Sequence, residues 1–422
     1  MLEYIDTHYK PSKNDLIVEF YLEPNKISLE QAAQHVAAES SIGTWTNVLT
    51  MSKDIARKLR PKVFQIDKAN SIIRIAYPSE LFELGNMPEI LSSVAGNIFG
   101  MDAVKNLRLE DIEFPKNIIN SFKGPKYGID GIRNLLQIKK RPLTGTIIKP
   151  KVGLNATHHA QVAYDAWTGG IDIVKDDENL TNQRFNPFKE RVKKTLEKRN
   201  KAELRTGEKK VYMPNITAET NEMLKRAEFV QEQGGRYVMI DIMTCGFSAL
   251  QTLRDHNFNL VIHAHRAGHA AVTRNKKHGI SMLTIAKISR LIGVDQLHIG
   301  AIVGKMQGSA TEVEAIGEEI ELKLVHEKKT SHLLEQSWYK IKPVFAVCSG
   351  GLHPGKVQDL MHYMGNNIII QAGGGIHGHP FGTRKGSMAM RQAVEAVMQG
   401  IDLKIYAKTH SELAKAIDKW GT

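Results

Sequence analysis

Lys175, Asp176, Asp177 and Glu178 set an amine beside three carboxylates at the end of an apolar run. If the run is a strand, alternation puts Lys175 and Asp177 on one face, with Glu178 turning in where the strand ends. Two carboxylates facing a pocket suit a hard, oxygen-seeking cation such as Mg2+, which takes one or two of them and completes its shell with water or substrate. Taken alone, an acidic strand end is more often a salt-bridged loop. A lysine there repels a cation unless its charge is removed, and reaction with CO2 removes it, giving a carbamate whose oxygen is an anionic ligand. Lys149 and Lys151 carry like charge two residues apart, which lowers a neighbouring amine's pKa and makes it nucleophilic.

Two glycine runs, Ser349-Gly350-Gly351 and Gly373-Gly374-Gly375, let backbone N–H groups approach phosphate oxygens, although most glycine clusters are plain turns. In HAHRAGHA, His265, Arg266 and His269 could supply a proton shuttle and a phosphate clamp. Zinc on His263, His265 and His269 is a weaker alternative, and a satisfied core histidine is the plainest reading of any one of them. VGKMQGSA (303–310) reads as a flexible lid carrying Lys305, whose charge would meet developing negative charge.

Eight apolar runs must position these groups: 144–150, 171–178, 210–218, 237–243, 260–266, 295–303, 342–351 and 367–375, with amphipathic stretches between them. Runs without alternation suit parallel strands covered on both faces. Eight strand–helix units over residues 126–422 predict a (β/α)8 TIM barrel, with a doubly wound open sheet as the alternative. Nearly every run ends in a reactive group: Lys149 and Lys151, Lys175, Asn215, Asp241, His265 and Arg266, His298, Ser349, Gly373. In a barrel these ends meet at one mouth, and the glycine runs fall after strands seven and eight, where phosphate sites recur. Residues 1–125 read as a smaller α+β N-terminal domain, with strands at 16–22, 71–78 and 107–114 and helices between them. The fold class is therefore α/β.

The chain has 422 residues, 42% apolar and 24% charged, which excludes a disordered chain. No stretch approaches the length of a membrane span, and the N-terminus lacks the layout of a signal peptide. Cys245 and Cys348 alone exclude a disulfide scaffold and fit a cytoplasmic protein. Lys and Arg number 57 against 45 Asp and Glu, and half of that excess lies in 189–210, where ten cations face four Glu. That stretch spaces Val192, Leu196 and Leu204 like a partly buried helix with a solvated basic face. No aromatic residue interleaves with its charges, so nucleic acid is not expected as a partner.

Together these residues resemble the large subunit of ribulose-1,5-bisphosphate carboxylase/oxygenase (RuBisCO). AAESSIGTWT (37–46), AGNIFG (95–100), GTIIKPKVGL, GGIDIVKDDEN, HAHRAGHA, HIGAIVGKM, SGGLHP and QAGGGIHGHP carry the likeness, and the wording is most like the archaeal form III branch. The resemblance implies that Lys175 is carbamylated by CO2 and, with Asp177 and Glu178, holds Mg2+. The carbamate would take the C3 proton of ribulose 1,5-bisphosphate, giving an enediolate that attacks CO2. Side oxygenation with O2 is implied too. Lys149 would act in enolisation and final protonation, His265 in proton transfer and hydration, and Lys305 on the new carboxylate, oriented by Glu39. Arg266 and His298 would hold one phosphate. Gly351, Gly373, Gly374, Thr44 and Trp45 would surround the other, with Lys151, Ser349, Gly350, Gln371 and Asn97 completing the pocket.

In the family Glu39, Thr44, Trp45 and Asn97 come from a second subunit, so a head-to-tail homodimer or an assembly of dimers is implied. No small subunit is called for, and form III suggests recycling of the ribose of AMP. Three positions depart from the commoner pattern: Ala301 for threonine, Gly268 for methionine, and Ile147 for the threonine of many plant-type relatives. The chain also ends at Thr422 without the long C-terminal latch of plant-type enzymes. Altered lid closure, CO2/O2 discrimination or turnover is expected from these differences. The nearest rival is a RuBisCO-like enolase or isomerase acting on another sugar phosphate. Such relatives typically lose several CO2-handling groups, whereas Lys149, His265 and Lys305 all stand here.

Overall fold

In the computed structural model, which describes residues 2–46, 48–303 and 310–422, fifteen strands form along the described chain. They fall into two compact units: Met1–Gly124 with Gly268–Ile292 and Leu322–Ile341, and Pro125–Ala267 with Gly293–Glu321 and Lys342–Thr422. No helix among the described residues is long and apolar enough to cross a membrane.

In the first unit β1 (Asp15–Pro24), β2 (Lys62–Asp67), β3 (Ile72–Pro78), β4 (Val104–Glu113) and β10 (Gly279–Ile280) form a sheet in the order β10–β4–β1–β3–β2. A hairpin, β12 (Leu324–Val325) and β13 (Gln336–Ser337), stands apart from that sheet. The helix Leu29–Glu39 starts at a capping box, Ser28 with Gln31, and buries Ala32, Ala33, Val36 and Ala37. The expected strands are β1, β3 and β4. The sequence reading missed β2, in which Val63 alone is fully buried.

The second unit is built on β5 (Leu143–Ile147), β6 (Ile173–Lys175), β7 (Val211–Met213), β8 (Tyr237–Asp241), β9 (Val261–His265), β11 (Gln296–Gly300), β14 (Phe345–Ser349) and β15 (Ile368–Ala372). All pair in parallel, in the order β7–β6–β5–β15–β14–β11–β9–β8. A bridge from Asn215 to Met239 joins the two end strands, so the ring is the expected (β/α)8 barrel and not an open sheet. Each strand falls inside one of the eight apolar runs, or begins one residue before it. The long basic helix, Phe188–Thr206, ends at Gly207, whose φ of 70° is the left-handed cap that glycine supplies freely. It buries Val192, Leu196 and Ala202, whereas Leu204 is 88% exposed, against expectation, because it lies off the buried stripe.

The bottom of the barrel is plugged by Ile129, Ile132 and Leu136 of the helix Gly128–Leu136, packed on Leu143, Ile173, Val211, Tyr237, Val261, Phe345 and Ile369. Asp295 fixes this plug by accepting from the N–H groups of Tyr127 (2.6 Å), Gly128 (3.0 Å) and Ile262 (3.0 Å). A second latch lies before β6. The fully buried Asp172 carboxylate takes both Nη atoms of Arg141 at 2.7 Å, Arg391 at 3.3 Å, and the Thr144 N–H at 2.8 Å. Burial opposes its ionisation, but Arg141, Arg391 and Lys210 hold the carboxyl well below the usual carboxylate range. A depressed folded pKa contributes stability that is present above the unfolded value near 3.9 and is lost as pH falls through the lower folded one. Removing the carboxylate leaves the mostly buried Arg141 guanidinium without its ion pair, while Arg391 keeps Glu208, so Asp172→Ala is expected to cost about 3–5 kcal/mol in unfolding experiments. A cost under about 1 kcal/mol, within the range of an exposed ion pair, would contradict the latch.

Candidate active site

The four residues that close β6 divide as a strand's alternation requires. Asp176 turns outward and is wholly buried, against Arg191 Nε (3.0 Å), Tyr212 Oη (2.8 Å), the Asn215 N–H (3.0 Å) and His159 Nε2 (3.0 Å). Burial opposes its charge, yet Arg191 and His159 keep the carboxyl far below the ordinary range. Asp176 therefore anchors the strand end and faces away from the mouth. Lys175, 1% exposed, turns inward, and its Nζ meets the Asp176 carbonyl at 2.9 Å and Met239 Sδ at 3.0 Å. Burial pushes the Lys175 amine below the usual lysine value, although Glu178, Asp177, Asp241 and Asp176 pull the other way.

The two inward carboxylates are held by the neighbouring lysines. Lys149 Nζ lies 2.8 Å from Asp177 Oδ2, and Lys151 Nζ lies 3.4 Å from Glu178 Oε1. Burial works against the charge on Glu178, but Lys175, its own backbone N–H, His265 and Lys151 bring its carboxyl down to about 2. Among the described residues no three His, Cys, Asp or Glu side chains gather as a ready-made metal site. The set is instead two carboxylates and an amine. It fits Mg2+ only once the amine is converted into an anionic oxygen donor, and Lys175 suits that conversion because burial already disfavours its ammonium form.

Beside this group the histidines form a ladder. His265 Nδ1 is 2.6 Å from Asp241 Oδ1 at the end of β8, which fixes the ring and leaves Nε2 3.9 Å from Glu178 Oε2. The His298 ring meets the His265 and His263 rings edge-on at 4.8 and 4.7 Å. His298 Nδ1 bonds Ser349 Oγ at 2.8 Å, and its Nε2 is buried without a partner. Burial, then the nearby His263, His265, Lys175 and Arg266, drives His298 well below the usual histidine value, so it stands as a neutral imidazole. The three histidines of the zinc alternative have separate partners: His263 bonds Gln296, His265 bonds Asp241, and His269 bonds Thr273.

The glycine runs sit at the ends of β14 and β15, side by side in the sheet. A Cβ on Gly373 would lie 2.9 Å from Lys149 Cε, and one on Gly375 would lie 2.1 Å from the Leu352 carbonyl oxygen. One on Gly374 would meet nothing within 4 Å, so its backbone faces open space. Gln371, 1% exposed, leaves both amide atoms unpaired beside this space.

A cavity of about 1060 Å3 unites these parts. Of the residues singled out from sequence, Lys149, Lys151, Lys175, Glu178, His265, His298, Ser349, Gly350, Gly351, Gln371, Gly373 and Gly374 line it. Asp177 is buried behind Lys149, and Arg266 is not part of the lining. Burial, partly offset by Glu312, lowers Arg266 to about 10. Lys305 lies outside the described residues. In the first unit Glu39 ends its helix half-buried, Thr44 is half-buried, Asn97 is exposed, and Trp45 is 80% exposed. Of the departures, Ile147 lines the cavity, Ala301 is buried, and Gly268 takes a φ of 84°, which a methionine would adopt only under strain.

Sequence reasoning named Asp241 as a strand-end group but gave it no role, and the structure makes it the orienting partner of His265. It missed Lys356, Lys419 and Trp420, which also line the cavity. Lys356 follows the first glycine run closely enough to have been suspected, whereas the last helix carries no recognisable motif.

Known proteins match this chain along nearly its whole length. The family model described as ribulose bisphosphate carboxylase large chain, N-terminal domain, matches residues 3–118, and that of the catalytic domain matches residues 128–420. The ribulose bisphosphate carboxylase of Methanocaldococcus jannaschii is 52% identical over 99% of this chain and 100% of its own. That of Methanosarcina mazei is 51% identical over 99% of both. Among solved structures, the dimeric archaeal Rubisco of Hyperthermus butylicus superposes with a TM-score of 0.94 at 44% identity, covering 99% of this chain and 98% of that one. The octameric enzyme of Pyrococcus horikoshii, solved with sulfate, gives 0.92 at 47%, covering 99% and 96%.

The glycine geometry separates folding from binding. Gly375→Ala is expected to lower stability by about 1–3 kcal/mol through its clash with Leu352, and Gly374→Ala to leave thermal unfolding unchanged. Equal losses from the two would contradict the placement of these loops.

Proposed function

The chain belongs to the ribulose bisphosphate carboxylase large-chain family, and from that premise we propose that it joins CO2 and water to ribulose 1,5-bisphosphate to give two 3-phosphoglycerates, with O2 as a side substrate. The observation that carries the proposal is one cavity holding a buried, low-pKa lysine, a Glu178 carboxylate and two adjacent glycine loops. Lys175, as its CO2 carbamate, with Asp177 and Glu178 would hold Mg2+, which when bound supplies a Lewis acid for the sugar's carbonyl and hydroxyl oxygens.

The chain's own residues do the rest. Lys149 moves a proton at the sugar's carbon skeleton, and its contact with Asp177 sets the ammonium at the mouth of the site. His265, held by Asp241, transfers protons through Nε2 during enolisation and hydration at C3. His298 stays neutral, and with Ser349 it takes one phosphate, the unpaired Nε2 being free to bond an oxygen, while Arg266, outside the lining of the empty cavity, would add its charge to the same phosphate. Gly351, Gly373 and Gly374 take the other through backbone N–H groups, while Lys151, Gly350 and Gln371 close the pocket. Lys305 would stabilise the new carboxylate. Glu39, Thr44, Trp45 and Asn97 would complete the site of a second copy, and the exposure of Trp45 is consistent with that use. A head-to-tail homodimer or an assembly of dimers without a small subunit is therefore proposed. A form III enzyme of the cytoplasm that recycles the ribose of AMP is proposed, on the sequence wording and the archaeal source of its relatives.

Incorporation of labelled CO2 tests this reading. Protein preincubated with bicarbonate and Mg2+ and given ribulose 1,5-bisphosphate without O2 is expected to place acid-stable label in 3-phosphoglycerate, and Lys175→Ala to place none. Gly374→Ala keeps its backbone N–H but sets a methyl in the space left for the phosphate, and is expected to raise the KM for the bisphosphate about tenfold by holding the phosphate out of hydrogen-bond reach. No label, with Mg2+-dependent exchange of the C3 proton, would contradict carboxylation and leave an enolising relative.

A further inference from the structure

The basic stretch around 189–210 plays no part in the carbon chemistry, yet part of it lines a second cavity at the other end of the barrel. There, beside the starts of β7 and β8, lies a pocket of about 290 Å3. Arg199 from the helix Phe188–Thr206, Lys209, and Arg236 from the turn before β8 bring cations to it, and Glu203 is its one carboxylate. Arg199 is held by neutral acceptors alone, Asn200 Oδ1 at 2.8 and 3.1 Å and the Gly234 carbonyl at 3.2 Å. The exposed Arg236 side chain makes no hydrogen bond or ion pair among the described residues, although its carbonyl accepts from the Val261 N–H, and the exposed Lys209 approaches Glu203 no closer than 3.9 Å. Tyr237, 1% exposed, also lines the pocket, and its hydroxyl is buried without a partner.

Arg236 and Lys209 are solvated, so the cost in the empty pocket falls on the buried Tyr237 hydroxyl. A buried hydroxyl without a partner is unfavourable by about 1–3 kcal/mol. Two guanidinium groups sharing a pocket repel: burial lowers Arg199, Glu203 opposes that shift in part, and Arg236 adds to it. An anion would give the Tyr237 hydroxyl an acceptor and offset the repulsion between Arg199 and Arg236. Forked guanidinium donors with a hydroxyl beside them match the oxygens of a phosphate group. A neighbouring cavity of about 670 Å3 shares Leu136 and Lys209 with the first and adds Lys139 and Lys140. Its arginines, Arg141 and Arg391, are already committed to Asp172 and Glu208. The adjoining lysines leave room for a second phosphate on the same ligand.

We propose that Arg199, Arg236, Lys209 and the Tyr237 hydroxyl form a binding site for a compact phosphate-bearing anion of at least two charges, at the end of the barrel opposite the catalytic mouth. The site is separate from the carboxylation reading and stands or falls without it.

Pyrophosphate is the probe. Its binding to the full protein is measured by titration calorimetry, in chelator and without CO2, on the wild type and on Arg199→Gln/Arg236→Gln. Binding at the catalytic glycine loops is common to both proteins, so the wild type should bind one more pyrophosphate per chain than the double variant. The KM for ribulose 1,5-bisphosphate and the unfolding temperature should be the same in both. Tyr237→Phe, which keeps the ring packed, should weaken that extra site about tenfold without loss of stability. Equal stoichiometry and affinity in wild type and variants would overturn the proposal.

Discussion

A primary amine buried at the end of a barrel strand, within reach of four carboxylates, is the constraint on which the site depends. In water such an amine is protonated, and the carboxylates favour that state. Burial opposes it, and here burial is the larger effect. The amine is therefore poised to react with a small electrophile such as CO2, and the product of that reaction is the missing anionic oxygen ligand. The same side chain cannot perform this role on the surface, where its pKa would be that of an ordinary lysine. The barrel's depth at β6 is in this sense a chemical requirement.

Much of the second unit maintains that position. Asp176 points away from the mouth into His159, Arg191, Tyr212 and Asn215, so alternation holds Lys175 inward. Before the same strand, Asp172 ties β6 to Arg141, ahead of β5, and to Arg391 on the helix Gly382–Met398. Across the mouth Asp241 fixes His265 and Ser349 fixes His298, each through Nδ1, which leaves Nε2 of both rings for chemistry or binding. Charge is thus spent outside the cavity to orient groups inside it.

The barrel was legible because its strands are unbroken apolar runs, and the site because those runs end in groups that only convergence could make useful. Alternation alone separated Lys175 and Asp177 from Asp176. What stayed hidden lacked a periodic signal. The two-residue β10 carries no pattern, yet it pairs with β4, and β2 buries one side chain fully. Leu204 looked like a helix's apolar face and is exposed, because one leucine in the last turn of a lysine-rich helix does not define a stripe. Trp420 and Lys419 reach the cavity through tertiary packing that no local spacing records. The orienting role of Asp241 needed the distance to His265, which sequence does not contain.

The most direct test of the central claim is the coupling between CO2 and Mg2+. If the Lys175 carbamate is a ligand, the two must enhance each other's binding by the same factor. Mg2+ titrated calorimetrically into CO2-free protein, and again in bicarbonate, should bind at least about tenfold more tightly in the second case, a coupling of about 1.4 kcal/mol. Lys175→Ala should abolish the difference. Equal Mg2+ affinity with and without CO2 in the unaltered protein would contradict the account.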